Sequence, residues 1–220
     1  MPRIARGLSD GHVYHILNRG NGRQQVFHKD GDYYTFTKLL EEAVGEFEVA
    51  ILAYCLMPNH FHFLLKPERG DALSRFMQWI MTSHVRRYHQ HYGTSGHVWQ
   101  GRYKSFIVQE DDHLLTVMRY IEGNPVRATL VESSREWKWS SHQERLGRQR
   151  RGIIIDPPIA LPTDWTGYID QPMTGSEVER IRKSVNRHTP FGADSWVESV
   201  CEQLGLETTL HARGRPKKEK

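Results

Sequence analysis

The sequence predicts an α+β fold, in which one antiparallel sheet carries helices on one face. Three observations indicate this fold. Strand-like and helix-like segments alternate along the first half of the chain. Two apolar, β-rich segments are separated only by Pro58 and Asn59, which predicts a hairpin. Two further segments repeat apolar residues every three or four positions over lengths that suit amphipathic helices.

The first four elements follow from local composition. A strand is predicted over residues 12–18, which are β-branched or aromatic and end in a glycine-rich turn. A helix is predicted over 29–47 from its apolar stripe. Residues 49–57 and 60–66 then form the two strands of the hairpin.

Three more elements complete the pattern. A second long helix is predicted over 71–92, with Asp71 as its N-cap. A strand over 105–109 follows, and Asp111 or Asp112 opens a third helix that runs to about residue 123. This βαββαβ order is that of a ferredoxin-like (RRM-like) sheet, with the first and third strands in the centre and the third helix lying against the sheet.

The chain divides into four predicted parts. Beyond the sheet domain, prolines interrupt the pattern, and then a capping box of Ser176 and Glu179 and a glycine at 205 bound a pair of short helices. This pair is a candidate helix-turn-helix, a docked appendage or a dimer contact. The parts are the domain, a linker that wraps it, the helical appendage and a basic tail: 8–140, 141–174, 175–206 and 207–220.

Composition restricts the class of protein. The chain has 220 residues, of which 38% are hydrophobic and 25% charged, and this excludes collagen-like, coiled-coil and wholly disordered chains. No run of eighteen apolar residues occurs and no signal peptide is evident, so we expect a cytoplasmic protein with no membrane contact. Its two cysteines are too few for a disulfide framework, and its net charge of +4 favours polyanionic partners slightly.

Four residues could carry chemistry. His60 and His62 are two apart on a predicted strand, so both imidazoles project from one face and could chelate an ion. Tyr120 and Asn124 are four apart, hence about one helical turn from each other. Two imidazoles and an amide oxygen could bind a divalent ion, with a tyrosine nearby as nucleophile. Taken singly, residues in such patterns are more often ordinary surface, half-buried or helix-ending side chains.

Four motifs together resemble the HUH single-tyrosine (IS200-like) transposases, and among them the REP-associated tyrosine transposases. The chain reads Met-Pro-Asn-His-Phe-His-Phe-Leu-Leu over 57–65 and Trp-Gln-Gly-Arg-Tyr-Lys-Ser over 99–105. It reads Tyr-Ile-Glu-Gly-Asn-Pro-Val-Arg-Ala over 120–128. The opening 14–21, Tyr-His-Ile-Leu-Asn-Arg-Gly-Asn, also fits, and the motifs occur in the family's order over about 8–140.

The resemblance implies a reaction, namely cleavage and rejoining of single-stranded DNA through a 5′-phosphotyrosine. In this family His60, His62 and Asn124 match ligands of a divalent metal, Mg²⁺ or Mn²⁺, and Tyr120 matches the nucleophile. The chain departs from the usual pattern at Glu122 and Gly123. A glycine within a helix costs about 1 kcal/mol relative to alanine, so we expect it to loosen the helix that carries the tyrosine.

The resemblance also implies a partner, single-stranded DNA that folds into hairpins at palindromic repeats, in the bacterial nucleoid. The candidate DNA-binding residues are polar and basic side chains in the matched motifs: Asn18, Arg19, Arg102 and Lys104. The basic tail adds Arg213 and Arg215, which look like an AT-hook core for the minor groove or a merely solvating end.

Two alternative functions and one question about assembly remain open from the sequence. RNA-binding modules share this sheet, so a non-catalytic single-strand binder, including a domesticated descendant that binds hairpins but cuts poorly, is the first. A zinc hydrolase that uses His60 and His62 is the second, but it has no use for Tyr120. Finally, the sequence leaves open whether Tyr120 serves its own chain or a partner in a homodimer.

Overall fold

The computed structural model describes residues 7–211 of the chain. Within them, one four-stranded sheet has the order β2-β3-β1-β4, with every neighbouring pair antiparallel. The first and third strands are therefore central, which confirms the ferredoxin-like fold predicted from the sequence. The strands are β1 (Val13–Arg19), β2 (Val49–Met57), β3 (His60–Pro67) and β4 (Lys104–Val108).

Two long helices cover one face of the sheet. They are α1 (Asp30–Glu46) and α2 (Gly70–Tyr92), and their buried stripes pack on alternate strand residues such as Ile16 and Phe63. Because successive strand residues point to opposite faces, the neighbours of these residues face away from α1 and α2.

The opposite face is covered by α3 (Asp112–Glu122). Its buried residues Leu114, Val117 and Ile121 pack in one cluster with strand residues such as Leu64 and Phe106. After Gly123 the chain turns into a short helix, α4 (Asn124–Arg127), with Pro125 in its first turn.

The C-terminal part of the chain runs along both edges of the sheet. Ser140 and Ile154 form bridges to the free edge of β2, and Phe191 forms one to the free edge of β4. Covering these edges satisfies backbone groups that would otherwise be exposed. The helices of this part are α5 (His142–Arg145), α6 (Trp165–Asp170), α7 (Gly175–Arg187) and α8 (Asp194–Leu204).

Two predicted helix starts are wrong. Asp71 lies in the first turn of α2 rather than at its N-cap, and the carboxylate of Asp10 accepts from the backbone N–H of Gly70 at 2.7 Å. The capping box of α7 is formed by Thr174 and Glu177, two residues earlier than predicted. Both predictions relied on local sequence. At the start of α2, however, the carboxylate that accepts the backbone hydrogen bond comes from Asp10, 60 residues earlier in the chain.

Between residues 7 and 211, no helix combines the length and the apolar character needed to cross a membrane. The division into domain, linker, appendage and tail stays a prediction.

Candidate nucleic-acid and metal cleft

A cleft of about 550 Å³ lies between the α3 face of the sheet and helix α7. It gathers residues from five separate segments, most of them polar or basic. The lining residues are Leu17, Asn18, Arg19, His60, His62, Gln100, Arg102, Lys104, Tyr120, Asn124, Arg182, Val185 and Asn186. The structure thus brings together the four candidate chemical residues and four of the six candidate DNA-binding residues.

The two histidines open β3 and line the cleft. His60 is partly exposed and His62 is buried, at 4% exposure, with their ring centroids 5.1 Å apart. Phe61 and Phe63 are fully buried in the core beneath α1 and α2, on the other face. This alternation leaves both imidazoles on the side that α3 covers.

A third histidine supports the pair. His15 lies on β1, and its Nε2 is 2.9 Å from Nδ1 of His62, with the two rings stacked. His15 is fully buried and also contacts the ring of Phe106 edge-on. The hydrogen bond fixes the orientation of the His62 ring and leaves its Nε2 as the nitrogen that is free of this bond.

Burial keeps these imidazoles neutral. Burial lowers the pKa of His60 to about 4, with a smaller contribution from the nearby Arg19 guanidinium. Burial also places the pKa of His62 well below its usual value, with His15 and His60 adding to the effect. A neutral imidazole keeps a lone pair for a cation, so the pair suits metal binding near neutral pH.

Tyr120 lies near the end of α3, half-buried, with its ring centroid 5.7 Å from that of His62. The guanidinium of Arg127 lies 4.3 Å from the tyrosine ring centroid and also donates to the backbone carbonyl of Tyr120. A cation over the face of an aromatic ring is attracted by the ring's quadrupole, which holds the two side chains together. The ring of Tyr120 therefore lies close to His62 and to a fixed positive charge.

Asn124 begins α4, one turn beyond Tyr120, and lines the same cleft. Its side-chain Nδ2 is buried without a hydrogen-bond partner among the described residues. The nitrogen and oxygen of a side-chain amide are assigned from their hydrogen-bond partners. A buried amide that has no such partner and lines a polar cleft is the feature expected of a ligand-binding side chain.

Gly123 separates α3 from α4, and it is not a weak point inside a helix as the sequence led us to expect. A Cβ at this position would lie 2.9 Å from the carbonyl oxygen of Arg119 and 3.1 Å from the guanidinium of Arg127. Glycine is therefore required by crowding, and it allows Tyr120 and Arg127 to come together across the turn.

Glu122 links this turn to residues that follow it in the chain. Its carboxylate is fully buried and accepts from Trp165 Nε1 at 2.7 Å and from Arg145 Nε at 3.2 Å. Ser141 donates to it as well, and His142 lies 3.7 Å away. The departure from the family pattern is thus a paired carboxylate that ties the tyrosine turn to the segment after the sheet domain.

The candidate DNA-binding residues have different surroundings. Arg19 lines the cleft with its Nε buried and without a partner, and Arg102 is exposed at the cleft. Lys104 donates to Asn186 at 3.2 Å. Asn18 is buried, and its amide is engaged by the Gly101 carbonyl at 3.1 Å and its oxygen by the backbone N–H of Arg19 at 2.8 Å.

The two arginines of the predicted AT-hook, Arg213 and Arg215, lie outside the described residues. His15, Arg127 and Arg182 are among the residues of the cleft region that were not singled out from the sequence. His15 could have been found, because the predicted sheet places its strand beside that of His62. Arg127 stood within a matched motif, but the turn that returns it to Tyr120 gives no local signal. Arg182 is far along the chain and has none.

The donor set of the cleft suits a hard or borderline divalent ion. It comprises two neutral imidazoles and one amide, which leaves coordination positions for phosphate oxygens and water. Among residues 7–211, no cluster of three or more histidine, cysteine or carboxylate side chains has the geometry of a metal site. Asn124 lines the same cleft and could supply an amide oxygen as a third donor.

Fold and cleft together define a class: a ferredoxin-like α+β protein whose basic cleft, on the sheet face opposite the long helices, holds a histidine pair, an amide and a tyrosine. The family can be named directly. The family model for IS200-like transposases matches residues 9–124, more than half of the chain, so this chain belongs to that family.

One relative of known assignment and two solved structures are similar to this chain. The chain is 24% identical over 151 residues to a Haemophilus influenzae protein assigned as a REP-associated tyrosine transposase, covering 64% of this chain and 80% of that protein. A solved structure of a REP-associated tyrosine transposase bound to a REP hairpin has a TM-score of 0.57 at 18% identity, covering 80% of this chain and all of that one. A crystal structure assigned as a transposase from Deinococcus radiodurans is 21% identical over 55% of this chain and 96% of its own, with a TM-score of 0.38.

Proposed function

We propose that this chain is a metal-dependent endonuclease and strand transferase that acts on single-stranded DNA through a 5′-phosphotyrosine. The observation that carries the proposal is the meeting of Tyr120, His60, His62 and Asn124 in one cleft of a chain that belongs to a transposase family. All four groups come from one chain, which supports the proposal that Tyr120 serves the site of its own chain.

His60, His62 and Asn124 would hold the divalent ion, Mg²⁺ or Mn²⁺. Burial keeps the imidazoles neutral, and His15 orients the His62 ring, so the ligands are prepared before the ion arrives. When bound, the ion would polarise a non-bridging oxygen of the scissile phosphate and align it.

Tyr120 is the proposed nucleophile. Its phenolic oxygen forms a bond to phosphorus while the bond from phosphorus to the 3′ oxygen breaks, giving a 5′-phosphotyrosine and a free 3′-hydroxyl. The phenolic proton leaves to solvent and the departing 3′ oxygen takes up a proton. Arg127, held 4.3 Å from the ring centroid, stabilises the phenolate as it forms.

Rejoining is the reverse reaction with a second 3′-hydroxyl. This hydroxyl attacks the phosphotyrosine, the new phosphodiester forms and Tyr120 is released with its proton restored. Because one phosphodiester-type bond replaces another, no nucleotide cofactor is needed to drive the step.

The proposed partner is a hairpin formed by a palindromic repeat, with a single-stranded segment in the cleft. Arg19 and Arg102 border the cleft and suit phosphate contacts, which position a strand without reading its sequence. The similarity of this chain to REP-associated tyrosine transposases, one of them solved with a REP hairpin, supports REP-type hairpins as the substrate.

The test is a covalent adduct assay. End-labelled hairpin single strands from repeats that flank the gene are incubated with Mg²⁺ or Mn²⁺ and resolved on a denaturing gel. We expect an adduct that is lost with Tyr120→Phe and with EDTA but kept with Tyr34→Phe, since Tyr34 is exposed on α1, away from the cleft. Tight binding without an adduct on any repeat would favour the non-catalytic hairpin binder.

A further inference from the structure

Helix α7 forms a wall of the cleft, although it lies far beyond the tyrosine in the chain. Three of its side chains line the cleft: Arg182, Val185 and Asn186. The match to the family model ends at residue 124, so this wall is outside the part of the chain that the model covers. The appendage predicted from the sequence is therefore in contact with the candidate site.

One end of α7 is fixed to β4. The ammonium of Lys104 donates to the side-chain oxygen of Asn186 at 3.2 Å. One residue past the helix, Nδ1 of His188 lies 2.9 Å from the carbonyl oxygen of Ser105. The backbone of Phe191 then pairs with the free edge of β4, donating to Ile107 at 2.7 Å.

The other end of α7 is fixed to α3. Arg119, which precedes Tyr120, is buried and pairs with Glu177 in the first turn of α7 at 3.7 Å. The same guanidinium donates to the carbonyl of Gln171 at 2.8 Å. Because α3 and β4 both border the cleft, α7 has a set position relative to Tyr120.

The charge on this wall is available to a ligand. Arg182 is exposed, and no carboxylate within residues 7–211 forms an ion pair with it. Across the cleft, Arg19 and Arg102 likewise form no ion pair within those residues. Unpaired cations on two walls suit a polyanion that passes between them.

The geometry points to α7 as a nucleic-acid-binding element, in which Arg182 binds a backbone phosphate of the single strand next to the scissile one. This inference rests on the proposed function, because it takes the strand to lie in the cleft beside Tyr120. The contact is sequence-independent and adds one ion pair with the DNA.

The test is the salt dependence of binding. Fluorescence anisotropy with a labelled hairpin that carries a single-stranded flank is measured over a series of NaCl concentrations, in the Tyr120→Phe chain so that no strand is cut. Each phosphate contact to a single strand contributes about −0.7 to the slope of log K against log salt. We expect Arg182→Ala to reduce the slope by about 0.7 and to weaken binding most at low salt.

The matched control is Lys183→Ala. Lys183 is also exposed on α7 but does not line the cleft, so its loss should leave the slope unchanged. Arg182→Lys keeps the charge and should keep the slope, which separates loss of charge from any change in folding.

The outcomes are distinct. If Arg182→Ala behaves like Lys183→Ala, or if Arg182→Lys loses the slope as alanine does, α7 does not bind the strand and the proposed function stands without it. If the Tyr120→Phe chain fails to bind any hairpin single strand, the proposed function itself is overturned.

Discussion

His15 and His62 share a hydrogen bond between neighbouring strands, with 2.9 Å between Nε2 of the first and Nδ1 of the second. One of these nitrogens must carry the proton. When His62 Nδ1 donates, the Nε2 of His62 keeps its lone pair for a cation, and His15 acts as the acceptor that holds this tautomer. His15 is therefore a positioning residue for a proposed metal ligand.

Replacing His15 tests this relationship. In His15→Phe the ring that contacts Phe106 remains but the acceptor is lost, so we expect Mn²⁺ affinity to fall by about 10–100-fold. His15→Gln offers an acceptor and should retain more of the affinity. The measurement is free Mn²⁺ by electron paramagnetic resonance, and equal affinity in wild type and His15→Phe would contradict the role.

Glu122 is expected to matter for stability. Removing one member of a buried ion pair costs about 3–5 kcal/mol, because the remaining charge is left unpaired. We expect Glu122→Ala to cost this amount through the stranded Arg145, whose side chain is 7% exposed. Urea unfolding measures this loss of stability, and Glu198→Ala, at an exposed position, is the control. An equal loss in both variants would show that the contacts of the Glu122 carboxylate do not stabilise the turn.

We expect Gly123→Ala to lower the free energy of unfolding, although alanine has a higher helix propensity than glycine. The added methyl would lie 2.9 Å from the Arg119 carbonyl oxygen and 3.2 Å from that of Ile169, and backbone atoms cannot move away cheaply. We expect a loss of about 1–3 kcal/mol in the free energy of unfolding. In the control, Gly45→Ala, the methyl meets nothing within 4 Å, and alanine should stabilise α1 by about 0.5–1 kcal/mol. Stabilisation by both substitutions would refute the crowding argument.

The sequence predicted the sheet because strand pairing follows from periodicity and connection length. The hairpin of β2 and β3 is joined by Pro58 and Asn59 alone, so its register had little freedom. His60, His62 and Tyr120 were singled out because each lies in a compact local motif. Their meeting in one cleft depends on how α3 packs on the sheet, which the family resemblance implied but periodicity did not.

The remaining features depend on distant contacts. Glu122 is satisfied by residues from Ser141 to Trp165, and the position of α7 depends on Arg119 and the edge of β4. Such pairings join segments that are separated by long, irregular stretches of chain, where no periodic pattern specifies which surfaces meet.

Acid should destabilise the fold through buried histidines. His84 is 5% exposed, packs against Phe36 and Trp99, and burial lowers its pKa to about 3 from the usual 6.5. Between these values the unfolded chain binds a proton that the folded chain does not. The contribution to stability is therefore complete above pH 6.5 and is lost as the pH falls.

Urea unfolding at pH 7, 6 and 5 measures this effect. The free energy of unfolding should fall by up to about 1.4 kcal/mol per pH unit for each such histidine. In His84→Met this contribution is absent, so stability should decrease less steeply with acid. An identical slope in wild type and His84→Met would show that folding does not lower the pKa of His84.

The central claim is that Tyr120 becomes covalently joined to a 5′ phosphate of DNA. The most direct measurement is mass spectrometry of the protease-digested adduct formed with a hairpin single strand and Mn²⁺. The account predicts a nucleotide on the peptide that contains Tyr120 and on none that contains another of the nine tyrosines. A nucleotide on a different tyrosine, or cleaved DNA with no protein-linked nucleotide, would contradict it.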